Sequence, residues 1–299
     1  MNNFIQYFYG IKPNKVIYND KYYSFIYNEN IYRLYIYNDN PTGIKFIHEI
    51  NKQLIKNTLM SEIIINRNNE IISIYNDVSY ILIKVFVNVN KKISLEEISF
   101  LSNIIYKEKL NINWGTLWEN KIDYLEDLIN ENGKKYPLIV DSFNYFVGMA
   151  ENAISYFNTI KLDNSYKFAL SHKKIRYNDM VDTLYDPLNI TFDYKSRDIA
   201  EYIKNAFFNN NYNIFNELIY YLRKNNLTLM EVKLIIARLQ YPSFYFEMYE
   251  DILIDNKEEK ILLNIISKLD SYEEYLSNII NFFKVNYNID DILWLKKEY

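Results

Sequence analysis

The hydrophobic pattern of this chain changes period once, near residue 94, and that change limits the folds open to it. Before it lie short β-branched and aromatic runs, "KVIYND" (15–20), "YYSFIY" (22–27) and "IYRLYIY" (31–37), split by turns such as "NDK" and "NEN". Runs of that kind predict strands. "IKFIHEINKQLIKN" (44–57) interrupts them with Ile44, Ile47, Leu54 and Ile55 at helical spacing. "EIIINR" (62–67), "EIISIY" (70–75) and "YILIKVFV" (80–87) then return to strand, and "NDNPTG" (38–43) and "NENGKKYP" (130–137) predict loops. After residue 94 the apolar residues recur every three or four positions. "SLEE" (94–97), "TLME" (228–231) and "SYEE" (271–274) each fit a capping box, where hydroxyl and glutamate satisfy free N–H groups at a helix start. Phe143, Phe146, Val147, Ala150, Ile154 and Phe157 predict a largely buried helix over 138–157, and helices are expected over 196–208, 211–224, 228–240 and 257–284. Strands followed by helices imply an α+β protein of two lobes. Residues 1–90 form a small β-rich lobe and 91–299 a large helical one, with no internal repeat between them.

A chain of 299 residues buries roughly three quarters of its unfolded surface, enough for such a core. Its formal charge of −4 supplies no field to attract phosphates, so nucleic acid is not an expected partner. No apolar run reaches membrane-spanning length, and the start "MNNFIQYFYGIKPNK" lacks the basic-then-apolar order of a signal peptide. With no cysteine and two histidines, disulfides and zinc sites are not expected. The 31 tyrosines fit the codon bias of an AT-rich genome, with oxidative cross-linking in an assembled shell as the functional alternative.

A small strand-rich lobe before a helical one is the layout of phosphotransferases of the protein-kinase type. Their chemistry needs a glycine-rich hairpin for phosphate, a third-strand lysine paired with a helix glutamate, a loop with a basic aspartate, and a second aspartate for magnesium. Here the first hairpin turn, "YNDKYY", has no glycine, and Arg33 stands where the lysine belongs, with Glu49 as its candidate partner. His172 opens the candidate loop "LSHKKIRYND". Lys174 occupies the position of the base, Asp179 follows five residues later beside Asn178, and Asp193 lies 21 residues beyond His172. A lysine accepts a proton only if its pKa falls by several units, and one aspartate holds magnesium poorly. The loop positions His172, Lys174 and Asp179 therefore read as degenerate, and no catalytic or metal-binding residue is assigned. His48 lies off the apolar face of its helix and is expected to be solvated. Doublets such as Glu96–Glu97, Glu258–Glu259 and Asp290–Asp291 read as exposed caps, and the aromatics of "QYPSFYFEMYE" (240–250) as core.

Three stretches of the helical part, "YFVGMAENAISY" (145–156), "DPLNITFDYKSRDIAEYIKNAFF" (186–208) and "ARLQYPSFYFEMYE" (237–250), carry a resemblance, with "SHKKIRYND" between the first two. They resemble the YutH-type spore coat family of endospore-forming Firmicutes, relatives of the CotS family and of aminoglycoside and choline phosphotransferases. Gly148, Glu151 and Asn152, then Arg197, Asp198 and Glu201, then Arg238, Tyr241, Pro242 and Tyr245 carry it in order. The N-terminal lobe shares only the strand–helix–strand pattern. The resemblance implies an aminoglycoside phosphotransferase-like, kinase-like fold in a degenerate enzyme. It also implies synthesis in the mother-cell cytoplasm during sporulation and residence in the spore coat, with coat proteins or assembly factors as partners. By position, His172 is the surviving loop histidine, Asp193 the former magnesium aspartate and Asp198 the aspartate of the following "RD" element. Asp193 and Asp198 are thus the candidate cofactor-binding residues.

Each has a structural reading that needs no ligand and is preferred. His172 braces its loop, Asp198 favours the start of its helix, and Arg197 pairs with Glu201 four residues on. The expected function is binding in coat assembly, without catalysis or cofactor. The alternatives are a small-molecule kinase with rearranged machinery, using ATP and Mg²⁺ with Asp179 or Asp193 as base, and a cytoplasmic scaffold unrelated to spores.

Overall fold

A computed structural model of the chain describes residues 1–19, 21–87, 90–106, 110–162, 166, 168–211, 213–255 and 257–295; Asp20 of the first predicted turn lies outside them. The chain divides into two compact units. The first takes Met1–Ile93, His172–Lys174 and Asp179–Thr191, the second Ser94–Ser171, Ile175–Asn178 and Phe192–Tyr299. Residues 172–174 and 179–191 thus group with the first unit, although a single cut at residue 90 places them with the helices.

The first unit runs α1 (Asn2–Tyr9), β1 (Ile17–Tyr18), β2 (Tyr22–Tyr27), β3 (Asn30–Ile36), α2 (Pro41–Leu54), β4 (Glu62–Ile64), β5 (Ser73–Tyr75) and β6 (Val78–Val85). The strands make one antiparallel sheet of order β1-β2-β3-β6-β4, with β5 on β6. Its β2–β3 and β5–β6 hairpins turn on Asn28-Glu29 and Asn76-Asp77, all four residues at positive φ. That backbone matches the twist of the strands and is what Asn and Asp tolerate best after glycine. A chain with five glycines makes its tight hairpins this way.

Successive side chains in a strand point to opposite faces. Tyr32 and Leu34 of β3 therefore join Tyr80 and Leu82 of β6 against Phe4 and Ile5 of α1. Ile81 and Ile83 point the other way, to Tyr37, Ile63 and Ile44 of α2. With helices on both faces, residues 80–83 of β6 are a continuous apolar run where a half-solvated strand would alternate. The N-terminal helix was not expected from a segment read as strands. It ends at Gly10, whose φ of 70° is left-handed, and a Cβ there would meet the Arg67 guanidinium at 2.3 Å.

Helix α2 begins three residues before the predicted start, because Asn40 accepts a hydrogen bond from the Thr42 N–H and Pro41 takes the first helical position. "PTG" is its first turn and not a loop. His48 is buried, with 7% exposure, where solvation was expected. Beside it the Asn51 side chain donates to Ser61 O and accepts from Ile63 N, fixing α2 to β4.

The second unit contains α3 (Leu95–Leu101), α4 (Trp114–Asn132), α5 (Pro137–Asn158), α6 (Arg197–Phe208), α7 (Ile214–Lys224), α8 (Leu229–Gln240), α9 (Ser243–Asp255), α10 (Leu263–Ile266) and α11 (Leu269–Asn286). Ser94 and Thr228 form the capping boxes their sequences predict. Ser271 does not, since α11 already begins at Leu269. The helix expected over 257–284 is broken into a 3-10 turn at Glu259–Leu262 followed by α10 and α11. The loop expected at 130–137 shrinks to a 3-10 turn, Gly133–Lys135, between α4 and α5. Of the acidic doublets, Glu97 caps α3, and Glu259 accepts the Ile139 N–H at the start of α5. Buried tyrosines tie the helices together: Tyr249 donates to Leu125 O and Tyr272 to Leu239 O, while Tyr245 bonds Ser142. The aromatics of 240–250 are core, with Tyr241, Tyr245, Phe246 and Tyr249 all buried.

Candidate functional site

Two short strands, β7 (Ala169–His172) and β8 (Ile190–Asp193), pair on either side of the candidate loop. His172 closes β7, is 2% exposed, and holds its Nε2 3.0 Å from Leu184 O. That is the bracing geometry. Lys174 stands next in the loop, where its backbone is clamped by Asn189. The Asn189 side chain accepts from Lys174 N and donates to the carbonyls of Lys174 and Thr183. Asp179 uses its carbonyl to accept from Ile93 N, at the other end of the same unit.

Arg33 does not pair with Glu49, which is exposed and bonded to Lys52. Its guanidinium meets Asp182 at 2.5 Å, both side chains only 13% exposed, and lies 4.8 Å from the Tyr22 ring centre. Two residues along the same face of β3, Tyr35 donates to Asp186 at 2.8 Å. Burial pushes the Asp186 carboxyl up, against the Leu188 N–H and the Tyr35 hydroxyl that hold it down. The third-strand cation and its neighbour are thus bound to carboxylates of the segment that follows the loop. The first hairpin turn closes on itself as well: Asn19 N–H donates to Tyr22 O, and its side chain accepts the Tyr22 N–H.

Asp193 and Asp198 fall in the second unit, apart in the chain from the loop residues. Asp193 ends β8 and is buried. Its Oδ1 accepts from Trp114 Nε1 at 2.9 Å and from Tyr194 N at 2.7 Å, and its Oδ2 lies 3.4 Å from Arg197. Burial raises its pKa, opposed by Arg197, Arg238 and these two N–H donors. Asp198 is buried in the first turn of α6, where a negative charge favours the helix dipole.

Arg197 therefore pairs with Asp193, four residues before it, and not with Glu201. Glu201 instead meets Lys204 at 3.0 Å, Arg238 at 2.5 Å and the Ser243 hydroxyl at 2.7 Å. Lys204, 1% exposed, donates also to Arg238 O, Tyr241 O and the Ser243 hydroxyl. Arg238 lies 5.1 and 5.6 Å from the Trp114 and Trp118 rings and 6.0 Å from Tyr241. Asn189, Asp182, Lys204 and the two tryptophans were not singled out by sequence reasoning. Lys204 left a signal: it shares a helical face with Ala200 and Phe207, both buried, so a lysine there has to find internal acceptors.

Magnesium wants near-octahedral oxygen ligands around the ion and substrate phosphates. Among the described residues no group of three or more His, Cys, Asp or Glu side chains converges to hold a metal. Asp193 presents one buried carboxylate already committed to an indole, a backbone N–H and a guanidinium. This donor set does not fit the metal, and no step through it is derived.

In fold, the chain is similar to an aminoglycoside phosphotransferase from Alicyclobacillus acidocaldarius, with a TM-score of 0.64 and 9% identity over 92% of this chain and 94% of that one. It is similar to AMP-bound spectinomycin phosphotransferase (TM-score 0.55, 11% identity, 98% and 96% covered) and to an amicoumacin kinase (0.53, 10%, 92% and 90%). Together with the sheet and helices described above, these likenesses define a kinase-like, aminoglycoside phosphotransferase-like fold. Residues 2–279 match the family described as spore coat putative kinase YutH, and the chain belongs to that family. It is 26% identical over 208 residues to the endospore coat-associated protein YutH of Bacillus subtilis (strain 168), a match covering 62% of this chain and 61% of that protein. Among the described residues no helix is long and apolar enough to cross a membrane.

Proposed function

We propose that this protein is a catalytically inactive, kinase-like component of the spore coat, made in the mother cell and acting by binding during coat assembly. Its small lobe is residues 1–90 and its helical lobe 91–299, and its partners are coat proteins or assembly factors. The observation that carries the reading is the state of Asp193, whose carboxylate serves Trp114, Tyr194 and Arg197 inside the protein. Lys174 at the base position and the Arg33–Asp182 pair support it. The family, and a relative named for endospore coat association, support the location.

Thermal melting with ATP and Mg²⁺ tests the absence of a cofactor. Ligand at a hundredfold over Kd adds about 2.7 kcal/mol, or roughly 4 °C for a chain of this length. A flat melting curve and no phosphate transfer to aminoglycosides, choline or sugars are the expected results. Turnover that vanishes in Asp193→Ala would replace this reading with that of a small-molecule kinase. Fractionation of sporulating cells is expected to place the protein with the coat, and recovery in the cytosol alone would refute that part.

A further inference from the structure

The second unit holds a groove of about 320 Å³ between α3 and α7, within the range of ligand sites. Its floor contains Tyr221, 4% exposed, whose hydroxyl makes no well-formed hydrogen bond among the described residues. The Ser99 hydroxyl lies within reach of it and also donates to the Asn225 side chain at 3.4 Å. A buried hydroxyl with so poor an internal partner can take a better acceptor from outside. The walls expose large aromatic rings from both helices, Phe100 of α3 at 60% and Tyr220 of α7 at 69%.

Among the described residues, the charges lining the groove are two carboxylates and one ammonium. Lys224 is taken by Glu96 at 2.6 Å. Asn211 donates to one oxygen of Glu217, and among the described residues the other accepts no hydrogen bond. The balance is one negative charge beside two aromatic faces. An anion would meet carboxylates there, and an apolar side chain would leave Glu217 unmatched. A cation on a hydrocarbon stem suits both features, with the stem along the rings and the head at the carboxylate. A backbone carbonyl flanking that stem would give the Tyr221 hydroxyl its acceptor.

We propose that the α3–α7 groove docks a lysine or arginine side chain carried on a peptide segment of a partner protein. Glu217 and the rings of Phe100 and Tyr220 select the cation, and Tyr221 takes the backbone. The test is an NMR titration of the full chain with blocked Gly-Lys-Gly and Gly-Arg-Gly. Blocked Gly-norleucine-Gly, Gly-Glu-Gly and n-butylammonium serve as comparisons. The lysine and arginine peptides are expected to shift resonances of Phe100, Glu217 and Tyr220 and to bind more weakly in 0.5 M salt. Glu217→Gln and Tyr220→Ala, which leave the buried floor intact, should each lower affinity about two- to fivefold. Unchanged wild-type amide spectra elsewhere confirm that both variants fold. Equal binding of the norleucine or glutamate peptide overturns the proposal. So does equal binding of n-butylammonium, which would make the site one for small amines, or no shift with the peptides at about 10 mM. None of these reagents or variants enters the nucleotide test, so either reading can fail alone.

Discussion

Replacing Glu201 by Gln is the most informative perturbation of the helical unit. The carboxylate is the shared counter-ion of Lys204 and Arg238, and Gln keeps its shape while removing its charge. Two buried cations would then lose the carboxylate they share, and the new amide NH₂ would face donors. Breaking a buried pair in this way costs about 3–5 kcal/mol. Unfolding entropy of about 2.1 cal/mol/K per residue converts that into a fall in Tm of roughly 5–8 °C for 299 residues. The carboxyl's titration points in the same direction. Burial alone would raise the Glu201 pKa, but Lys204, Arg238 and the Ser243 hydroxyl outweigh it and hold the carboxyl at about 2, against 4.5. A depressed carboxyl contributes stability by linkage, and burial of Lys204, whose pKa is lowered to about 8, offsets part of it. Because the folded pKa is the lower one, the contribution is complete above pH 4.5 and is lost as pH falls toward 2. Urea titrations from pH 7 to pH 2.5, with calorimetry at neutral pH, measure both. The wild type should lose stability more steeply than Glu201→Gln between pH 4.5 and 2.5. A variant within about 1 kcal/mol of wild type at pH 7, with a parallel acid limb, would refute the argument that this carboxylate balances buried charge.

Other groups give sharper local tests. A double-mutant cycle of Arg33→Met and Asp182→Asn should show a coupling of about 1–3 kcal/mol, and additivity would mean the pair contributes nothing. Burial, with Lys52 nearby, lowers the His48 pKa from 6.5. The unfolded chain therefore takes up a proton first as pH falls through 6.5, and stability drops below it; urea midpoints at pH 7.5 and 5.5 should differ less in His48→Gln. Thr228→Ala removes the hydroxyl that accepts the Glu231 N–H; it should cost about 1 kcal/mol, or near 2 °C by calorimetry.

Much of the fold is legible because two periods dominate the chain. The strands of 22–27 and 31–37 and the helices of 138–157 and 228–240 lie within a residue or two of their predicted ends, since each buries a regular face. What was missed depends on distant contacts. Nothing local marks residues 2–9 as a helix until Phe4 and Ile5 have Leu34 and Leu82 to pack against. His48 reads as solvated because its helix was judged by one apolar stripe. The electrostatics around the candidate positions were not legible. Arg33 finds its partner 149 residues away in Asp182, and Arg238 finds Glu201 37 residues away. Spacing along one helix suggested Arg197 with Glu201, but Asp193, four residues before Arg197 at the end of a strand, competes for the same guanidinium.

Four of the ten residues that carry the family resemblance lie in one charge-balancing network inside the helical unit. Arg197, Glu201, Arg238 and Tyr241 all enter the network around Asp193 and Lys204. Each member of that network compensates another, so the loss of any one leaves a buried ion behind, and the set resists piecemeal change. In the loop, Asn189 holds the backbone of Lys174 through two hydrogen bonds. Asp193 cannot leave without taking the buried acceptor of Trp114 Nε1 with it. Under the proposed reading, a magnesium aspartate outlasts its metal because the protein has found it a second use. The same residue then signals ancestry in the sequence and stability in the structure.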